Sequence, residues 1–404
     1  MGVYGLLGRG LTHSFSPYLH SLIGDYSYTL FSKEERELKP FLEGKSFDGL
    51  NVTIPYKKAV IPFLDELSPV AEKLGSVNTV VKRKDGTLFG DNTDYHGFLE
   101  LVKHENIKLK NKKVLVLGSG GASVTVCEVI KTLGGFATVI SRRGENNYDN
   151  ISRHFDADII VNTTPVGMFP KNGEKPLGLS GFNRLEAVID IIYNPLKTAL
   201  LLEAENMGIK TANGLYMLVA QGIKSAELFL DTAFDSACRA QIYKTVKDKM
   251  TNTVLIGMPG CGKTTIAEIL KEKTGKPLFD SDICFFEKEG ITPGDYIKKH
   301  GEERFRIIET EILRELSKKS GVIISTGGGA VTRKDNKDIL KQNGVLVYIK
   351  RDIKNLATKD RPLSCDVEKL YKERKPMYEA FADYEVDNNK TPKDTALAIL
   401  EKIK

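Results

Sequence analysis

The chain has 404 residues, of which 59 are Lys or Arg and 53 are Asp or Glu, so its formal net charge is only +6. This small surplus argues against a dedicated nucleic-acid-binding protein, because such proteins concentrate Lys and Arg in one patch. The length predicts two to four domains of roughly 100–200 residues each, and 41% hydrophobic with 28% charged residues is typical of globular domains.

The apolar runs and the N-terminus argue against a membrane-spanning or secreted protein. The longest apolar runs, such as Val114–Leu117 and Val322–Ile324, have the length of strands and fall short of the ~18 residues that span a membrane. The N-terminus has no basic patch followed by an apolar run, so no signal peptide is predicted. We therefore expect a cytoplasmic protein whose partners are small molecules, with no nucleic acid and no membrane; its oligomeric state stays open.

The cysteines support the same expectation. Their number is odd and no Cys-x-x-Cys spacing occurs, which argues against a disulfide scaffold and against a zinc site. The five positions are Cys127, Cys238, Cys261, Cys284 and Cys365.

The first 108 residues alternate predicted strands and helices without a phosphate-binding loop, so they are interpreted as a substrate domain. Ser14 and Ser16 stand two residues apart just before a predicted helix, where two hydroxyls can bind one carboxylate. Three further motifs follow before residue 95: they are Asn51-Val-Thr-Ile-Pro-Tyr-Lys57, Ser76-Val-Asn-Thr79 and Gly90-Asp-Asn-Thr-Asp94.

The next motif is a dinucleotide-type loop between a predicted strand and a predicted helix. The strand Lys113–Leu117 precedes Gly118-Ser-Gly120-Gly121-Ala122, and Val124–Leu133 reads as a helix. The following strand, Ala137–Ile140, ends in Ser141-Arg142-Arg143 about twenty residues after the loop. An enzyme that prefers NAD would carry an acidic residue there, whereas arginines favour the 2′-phosphate of NADP.

Together these motifs resemble shikimate dehydrogenase over residues 1–240, and the resemblance continues through Asn162–Met168, Asp190–Pro195 and Gly214–Gln221. It implies that Lys57 and Asp94 form the catalytic pair and that Ser14 and Ser16 bind the substrate carboxylate. It implies that Thr53, Asn78, Tyr193 and Gln221 line the ring site. The NADP site would consist of Gly118, Gly120, Gly121, Ala122, Ser141, Arg142, Arg143 and Gly214. His13, His20 and His96 are expected to be structural.

A second phosphate loop, Gly257-Met-Pro-Gly260-Cys-Gly262-Lys263-Thr264, matches G-x-x-x-x-G-K-[ST] and follows the predicted strand Thr253–Gly257. Such glycines let backbone N–H groups turn toward phosphates, Lys263 neutralises the β- and γ-phosphates, and the Thr264 hydroxyl ligates Mg²⁺. The ATP site is therefore expected at Gly257, Gly260, Gly262, Lys263, Thr264 and Thr265. Asp280 and Asp282 lie two apart at a strand end, so one can hold the metal and the other a substrate hydroxyl.

With Phe305–Glu309, Ser325–Gly329, Arg361–Leu363 and Glu373–Tyr378, this set resembles shikimate kinase over nearly all of residues 251–404. The resemblance implies that Asp282 activates the 3-hydroxyl, Asp280 supports Mg²⁺, and Arg361 on the lid reaches the transferring phosphoryl group. It implies a substrate site of Asp282, Arg306, Gly327, Gly328, Gly329 and Arg374. The segment Lys350–Arg361 is shorter than the family's lid, and Lys354 and Lys359 are the basic residues nearest to where that family has an arginine against adenine.

The predicted architecture is α/β in three parts: an N-terminal α/β substrate domain (1–108), a Rossmann NADP-binding domain (109–250), and a parallel α/β domain of the P-loop nucleoside-monophosphate-kinase-like class (251–404). A helix at about 215–240 is assigned to the first part, and the last boundary is placed in the polar stretch near 245–252.

The function implied is bifunctional: NADPH-dependent reduction of 3-dehydroshikimate to shikimate, then phosphorylation of shikimate by ATP and Mg²⁺, on the route to chorismate and the aromatic amino acids. Two alternatives stay open. One is a quinate/shikimate dehydrogenase joined to a small-molecule kinase, and the other is a chain in which one domain is a non-catalytic binding or regulatory module.

Overall fold

The computed structural model describes residues 2–11, 14–356 and 367–403, and Arg361, with His13, Lys359 and Cys365, lies outside these described residues. The chain divides into two compact units. The first unit comprises Met1–Val166, Lys175–Tyr193 and Glu203–Val246, and the second comprises Gly167–Glu174, Asn194–Leu202 and Lys247–Lys404. Among the described residues, no helix is both long and apolar enough to cross a membrane.

The first unit begins with a six-stranded mixed sheet in the order β2-β1-β3-β5-β6-β4. Its strands are β1 (Tyr4–Gly8), β2 (Tyr28–Ser32), β3 (Gly49–Val52), β4 (Glu66–Leu67), β5 (Thr79–Lys82) and β6 (Leu88–Asp91). Its helices are α1 (Ser16–Ile23), α2 (Glu35–Glu43), α3 (Pro69–Leu74) and α4 (Thr93–His104). Strand β1 pairs in parallel with β2 and β3, and β5 pairs antiparallel with β3 and β6. Leu7, Leu50 and Val80 are fully buried in its core.

A second, five-stranded sheet is parallel throughout, as predicted, with the order β11-β10-β9-β7-β8. Its strands are β7 (Lys113–Leu117), β8 (Phe136–Ile140), β9 (Ile159–Asn162), β10 (Ala187–Asp190) and β11 (Lys210–Asn213), with helices α5 (Gly121–Thr132) and α6 (Ala199–Asn206) nearby in sequence. The strand order changes direction at β7, and in parallel sheets this switch point opens a ligand crevice at the carboxyl ends of the strands. Gly118, Ser141 and Asn162 lie at that edge.

The helix predicted at about 215–240 is two helices, α7 (Leu215–Leu230) and α8 (Ser236–Met250). The break begins at Asp231, which has a left-handed φ of 47° at the end of α7. Helix α7 packs against α1 and α4, and a Cβ added at Gly97 would lie 2.7 Å from the Met217 carbonyl oxygen. The polar stretch interpreted as a domain boundary forms the end of helix α8, and the division between the two compact units falls after Val246, within that stretch.

The second unit holds a third sheet, also parallel as predicted, in the order β13-β14-β12-β15-β16. Its strands are β12 (Asn252–Ile256), β13 (Leu278–Asp280), β14 (Ile323–Ser325), β15 (Gly344–Lys350) and β16 (Tyr384–Asp387). Its helices are α9 (Lys263–Thr274), α10 (Ser281–Glu289), α11 (Pro293–His300), α12 (Glu302–Ser317), α13 (Asp335–Lys341), α14 (Val367–Phe381) and α15 (Pro392–Ile403). The central strand β12 is completely buried, so the loop that follows it sits on a rigid support.

Two short segments that the sequence placed in the middle domain, Gly167–Glu174 and Asn194–Leu202, belong to the second unit. Within that unit the Leu196 N–H donates to Asn343 Oδ1 at 2.8 Å, and the Lys197 N–H donates to the Gln342 carbonyl at 2.8 Å. Backbone hydrogen bonds of this kind have no signature in the hydrophobic pattern, which is why sequence periodicity did not reveal the grouping.

Candidate active sites

In the first unit, Lys57 and Asp94 form an ion pair with 2.5 Å between Nζ and Oδ2. Both side chains are partly exposed, at 28% and 20% respectively, so solvent reaches the pair. Asp94 is in the first turn of α4, where the helix dipole favours a carboxylate. The arrangement places a proton donor beside a fixed negative charge.

The first turn of α4 is held by buried polar side chains. Asn92 caps the helix by accepting from the Tyr95 N–H at 3.3 Å, and Asn78 Oδ1 accepts from the Thr93 N–H at 2.6 Å. Because the Asn78 oxygen is used in this way, its amide nitrogen is the group that can reach a ligand. Asn78 therefore has a structural task in addition to the predicted ring contact.

This network extends further than the sequence predicted. Thr79 Oγ1 lies 3.0 Å from Thr93 Oγ1 and 3.4 Å from Asn51 Nδ2, and Asn51 Oδ1 accepts from the Tyr28 hydroxyl at 2.7 Å. His20 stacks on Tyr28 with ring centroids 3.9 Å apart. Burial lowers the pKa of His20 to about 3, so the ring is neutral and is consistent with the predicted structural role. Asn51 and Thr79 belong to the sequence motifs at 51–57 and 76–79. The alternation of buried and exposed residues along a strand does not indicate that these two side chains contact each other.

The remaining predicted substrate residues lie on several elements. Ser14 Oγ accepts from the Ser16 N–H at 3.2 Å, so the two hydroxyl residues are adjacent at the start of α1. The Thr53 N–H donates to the Leu7 carbonyl at 2.9 Å, at the end of β1. Gln221 lies on α7 against Gly97, one helical turn from Asp94. Tyr193 follows β10 in the second sheet, and burial raises the pKa of its hydroxyl.

The first glycine loop has the open space that a phosphate needs. A Cβ added at Gly120 or Gly121 would meet nothing within 4 Å, whereas Gly118 has a φ of 104° and lies against Thr163 and Thr164. Ala122 is the second residue of α5, whose N-terminal N–H groups point toward the loop. The open space and the helix N-terminus can accommodate phosphate groups.

Arg142 and Arg143 are both exposed beyond the end of β8, and neither has an ion-pair partner among the described residues. Ser141 is held beside them by a hydrogen bond from its N–H to the Asn146 carbonyl at 3.2 Å. Gly214 is different: a Cβ there would lie 1.9 Å from the Ile191 carbonyl oxygen, so close backbone packing requires glycine. Two exposed guanidinium groups at this strand end suit a 2′-phosphate.

In the second unit, the phosphate loop holds its lysine in place. Lys263 Nζ donates to the Gly257 carbonyl at 2.8 Å and to the Met258 carbonyl at 3.0 Å. Gly260 and Gly262 have φ values of 79° and 97°, which only glycine adopts without strain. Thr264 and Thr265 open helix α9, so their N–H groups face the loop.

The two predicted aspartates lie at the start of α10. Asp280 caps this helix by accepting from the Asp282 N–H at 2.9 Å, and its other oxygen is 3.4 Å from Thr264 Oγ1. The described residues contain no group of three His, Cys, Asp or Glu side chains that could hold a metal. Magnesium, which keeps most of its waters, needs only one or two protein ligands, and the oxygens of Thr264 and Asp280 suit it.

Arg306 is buried and paired with two glutamates of its own helix. Its NH1 donates to Glu309 Oε2 at 2.7 Å and its NH2 to Glu302 Oε1 at 2.7 Å. Glu309 is buried as well, which raises its pKa, and its second oxygen has no partner among the described residues. A Cβ added at Gly327 would lie 2.7 Å from Glu309 Oε1 and 2.8 Å from Asp282 Oδ1, so this glycine lets the two carboxylates approach the same strand end.

Arg374 reaches the same place from α14. Its NH1 donates to the Gly328 carbonyl at 3.2 Å, and its buried Nε has no partner among the described residues. Tyr378 donates to the same carbonyl at 2.5 Å. A Cβ at Gly329 would lie 1.9 Å from Arg306 NH2, so the three consecutive glycines bring backbone and two guanidinium groups together.

These groups line one cavity of about 1020 Å³. The cavity is lined by all the residues predicted to bind the kinase substrate, together with Lys263, Thr264, Thr265 and Asp280. The cavity is also lined by Arg351, which no motif in the sequence identified. Arg351 directly follows β15, the neighbour of the phosphate-loop strand, and this position at a strand end is the signal that could have identified it.

The N-terminal and C-terminal parts of the chain are similar to different known families. A family model described as shikimate kinase matches residues 259–404, and one described as shikimate dehydrogenase substrate binding domain matches residues 6–80. The shikimate dehydrogenase (NADP(+)) of Clostridium beijerinckii is 34% identical over 270 residues, covering 62% of this chain and 99% of that protein.

Solved structures show the same similarity. A chorismate mutase/shikimate 5-dehydrogenase fusion protein from Clostridium acetobutylicum is 36% identical, with a TM-score of 0.59, over 62% of this chain and 98% of that one. Shikimate 5-dehydrogenase from Thermus thermophilus, solved with NADP(H) and shikimate, is 32% identical, with a TM-score of 0.55, over 61% of this chain and 99% of that one.

Proposed function

Because the chain belongs to the shikimate dehydrogenase family and carries a shikimate kinase domain in its C-terminal part, we propose that it reduces 3-dehydroshikimate and then phosphorylates the shikimate formed. We assign the first reaction to residues 1–250, with 1–108 and 109–250 as substrate and NADP domains, and the second to 251–404. The single observation that carries the proposal is that the chain holds both sites. One unit has the 2.5 Å Lys57–Asp94 contact, and the other has a complete phosphate loop.

In the reduction, the Gly118–Ala122 loop would hold NADPH, which would supply the hydride. Lys57 donates its proton to the ketone oxygen as charge develops there, and Asp94 stabilises the ammonium before transfer and accepts a hydrogen bond from a substrate hydroxyl. Because Lys57 is partly exposed, solvent can return its proton after each turnover. Ser14 and Ser16 bind the substrate carboxylate, and Thr53, Asn78, Tyr193 and Gln221 orient the ring.

In the phosphorylation, Thr264 and Asp280 would hold Mg²⁺, which would screen the negative charge of the phosphates. Asp282 accepts the proton of the 3-hydroxyl while that oxygen forms a bond to the γ-phosphorus and the bond to the β,γ-bridging oxygen breaks. Lys263 stabilises the charge that develops on the phosphates. Arg306 and Arg374 hold the carboxylate of shikimate, whose planar shape fits a guanidinium fork. Arg361 remains our proposed lid residue on the basis of its motif alone.

Several observations support the binding of these ligands. The open space at Gly120 and Gly121 suits a pyrophosphate. Arg374 lines the cavity where a carboxylate would bind, and its donation to the Gly328 carbonyl holds it there. We also propose a cytoplasmic location, in line with free thiols at Cys127, Cys238, Cys261 and Cys284.

The test follows 3-dehydroshikimate with NADPH, ATP and Mg²⁺ by mass spectrometry. Wild type is expected to form shikimate 3-phosphate, Lys57→Ala to stop at the ketone, and Lys263→Ala to accumulate shikimate. Lys58→Ala is the matched control, because Lys58 is the exposed neighbour of Lys57. Accumulation of shikimate by wild type would mean that the C-terminal domain only binds, and faster oxidation of quinate than of shikimate would favour the quinate alternative.

A further inference from the structure

The phosphate loop of the second unit is held from behind by Asn388, the residue that directly follows β16. The Asn388 Nδ2 donates to the Cys261 carbonyl, inside the loop, at 2.7 Å. Both residues are buried, with Asn388 1% and Cys261 0% exposed, whereas Gly260, Gly262 and Lys263 line the 1020 Å³ cavity. The contact therefore lies behind the surface that the loop presents to the cavity.

The side chain of Asn388 is fixed by two further hydrogen bonds. Its N–H donates to the Lys350 carbonyl, at the end of β15, at 2.7 Å, and its Oδ1 accepts from the Thr395 hydroxyl of α15 at 2.8 Å. Because a carbonyl oxygen only accepts hydrogen bonds, the atom of Asn388 that faces Cys261 must be the amide nitrogen. Asn388 is thus a fixed donor that β15 and α15 support.

The direction of the Cys261 carbonyl determines the direction of the next N–H group. In a trans peptide the C=O and the following N–H point in opposite directions. A carbonyl held by Asn388 therefore turns the Gly262 N–H away from Asn388 and toward the cavity that Gly262 lines. Gly262 has a φ of 97°, and a Cβ there would lie 2.7 Å from Asn388 Nδ2. The glycine thus permits this approach, and N–H groups turned inward are what a loop of this kind offers an anion.

Lys263 also holds the loop, but its contacts do not outlast the arrival of phosphates. Its Nζ donates to the Gly257 and Met258 carbonyls at 2.8 and 3.0 Å. In the proposed reaction this ammonium moves to the β- and γ-phosphates and leaves both carbonyls. The Asn388 contact uses no group that the nucleotide needs, so it persists while ATP is bound.

We propose that Asn388 is a positioning residue of the kinase, which holds the Cys261–Gly262 peptide so that the Gly262 N–H faces the phosphates of ATP. The inference rests on the proposed kinase function and deepens it. Asn388 acts through the loop, since it is buried behind it and does not line the cavity. Without its amide, the buried Cys261 carbonyl loses its donor, and the peptide is free to turn that carbonyl toward the phosphates, which it would repel.

The test is calorimetric titration of the full-length protein with ADP and, separately, with inorganic tripolyphosphate, both with Mg²⁺. Asn388→Leu keeps the approximate volume of the side chain and removes the donor without adding a charge. It is expected to weaken both ligands about tenfold, because the loss lies at the phosphates that they share. In initial-rate kinetics the KM for ATP should rise by a similar factor, while the KM for shikimate and the dehydrogenase rate stay within about twofold.

Asn252→Leu is the matched control. Asn252 is a buried asparagine of the same unit, also 1% exposed, and its Nδ2 donates to the Lys319 carbonyl at 2.7 Å. Its Oδ1 accepts from the Val322 N–H at 3.0 Å. Asn252 begins β12, whereas the phosphate loop follows the other end of that strand. The control should therefore destabilise the domain in the same way and leave both affinities within about twofold.

Thr395→Val serves where Asn388→Leu does not fold. It removes the hydroxyl that fixes the Asn388 amide and is expected to weaken both ligands about threefold. Wild-type affinities in either folded variant overturn the proposal. Equal weakening by Asn252→Leu also overturns it, since the effect would then be one of general stability, and a loss for ADP alone would place the effect at the adenosine end. Wild-type protein that binds neither compound would instead contradict the proposed kinase function itself.

Discussion

The Lys57 ammonium donates to the Asp94 carboxylate at 2.5 Å, although the two residues are 37 positions apart in sequence. Lys57 lies in the segment after β3, and Asp94 lies in the first turn of α4, which Asn78 and Asn92 hold in place. The pair therefore depends on the antiparallel return of β5 and β6 next to β3.

Asp94→Asn keeps the size of the side chain and removes its charge. We expect kcat/KM for 3-dehydroshikimate to fall about 10²–10³-fold, because the lysine loses the carboxylate that orients it. The kinase rate of the same protein should not change. Asp25→Asn, at an exposed site, is the control, and a dehydrogenase loss below threefold would contradict the assigned role.

Arg142→Gln should raise the KM for NADPH about tenfold and leave the KM for NADH within about twofold, because only NADPH carries the 2′-phosphate that a guanidinium binds. The rate of cofactor oxidation at saturating 3-dehydroshikimate measures both. Arg153→Gln, which removes another exposed arginine of the same unit, is the control. Parallel changes for the two cofactors would show that Arg142 does not distinguish them.

Arg374→Lys keeps the positive charge but loses the planar donor pair. We expect the KM for shikimate to rise at least about tenfold while the KM for ATP stays within twofold, since Arg374 lies against Gly328 on the acceptor side of the cavity. Initial-rate kinetics with each substrate varied provide the measurement, with Arg314→Lys on exposed surface as the control. A rise confined to ATP would refute the assignment.

Gly329→Ala tests the close approach of Arg306. The added methyl would overlap the guanidinium, whose NH2 is 1.9 Å from the Cβ position, so Arg306 must move away from Glu309. We expect the C-terminal domain to lose about 1–3 kcal/mol of stability and shikimate affinity to fall. Chemical unfolding and shikimate titration measure the two effects. Unchanged shikimate affinity would show that Arg306 is not in contact with substrate.

The buried side chain of His20 is expected to make the free energy of unfolding of the N-terminal unit depend on pH. Burial lowers its pKa in the folded state to about 3 from the ordinary 6.5, so the unfolded chain binds the additional proton between these values. Stability of the N-terminal unit should therefore fall as pH drops from 6.5 toward 3, by at most about 1.4 kcal/mol per pH unit from this group.

Urea unfolding of wild type and His20→Asn at pH 7 and pH 4.5 measures this effect. Other groups titrate in both proteins, so the difference between the two slopes isolates His20. The wild-type slope should be the steeper one, and parallel slopes would show that His20 titrates normally in the folded state.

Local chemistry explains why much of the molecule was predictable. Each phosphate loop lies between a buried apolar strand and a helix, and glycine is needed wherever backbone must turn or approach a phosphate, as the positive φ angles of Gly118, Gly260 and Gly262 illustrate. The predicted strand Lys113–Leu117 is confirmed, and both predicted parallel sheets are present. The helix predicted from Val124 begins earlier, at Gly121, because its first turn belongs to the loop.

What the sequence by itself determined is therefore the set of local units and their chemistry: strands, glycine loops, and the residue types that bind carboxylates and phosphates. What only the tertiary structure decided is which distant side chains meet. The partners of Asn78 and Thr79 depend on contacts between remote segments, and so does the grouping of Asn194–Leu202 with the second unit. Such contacts follow from strand order and close packing, and no repeating pattern along the chain encodes either one.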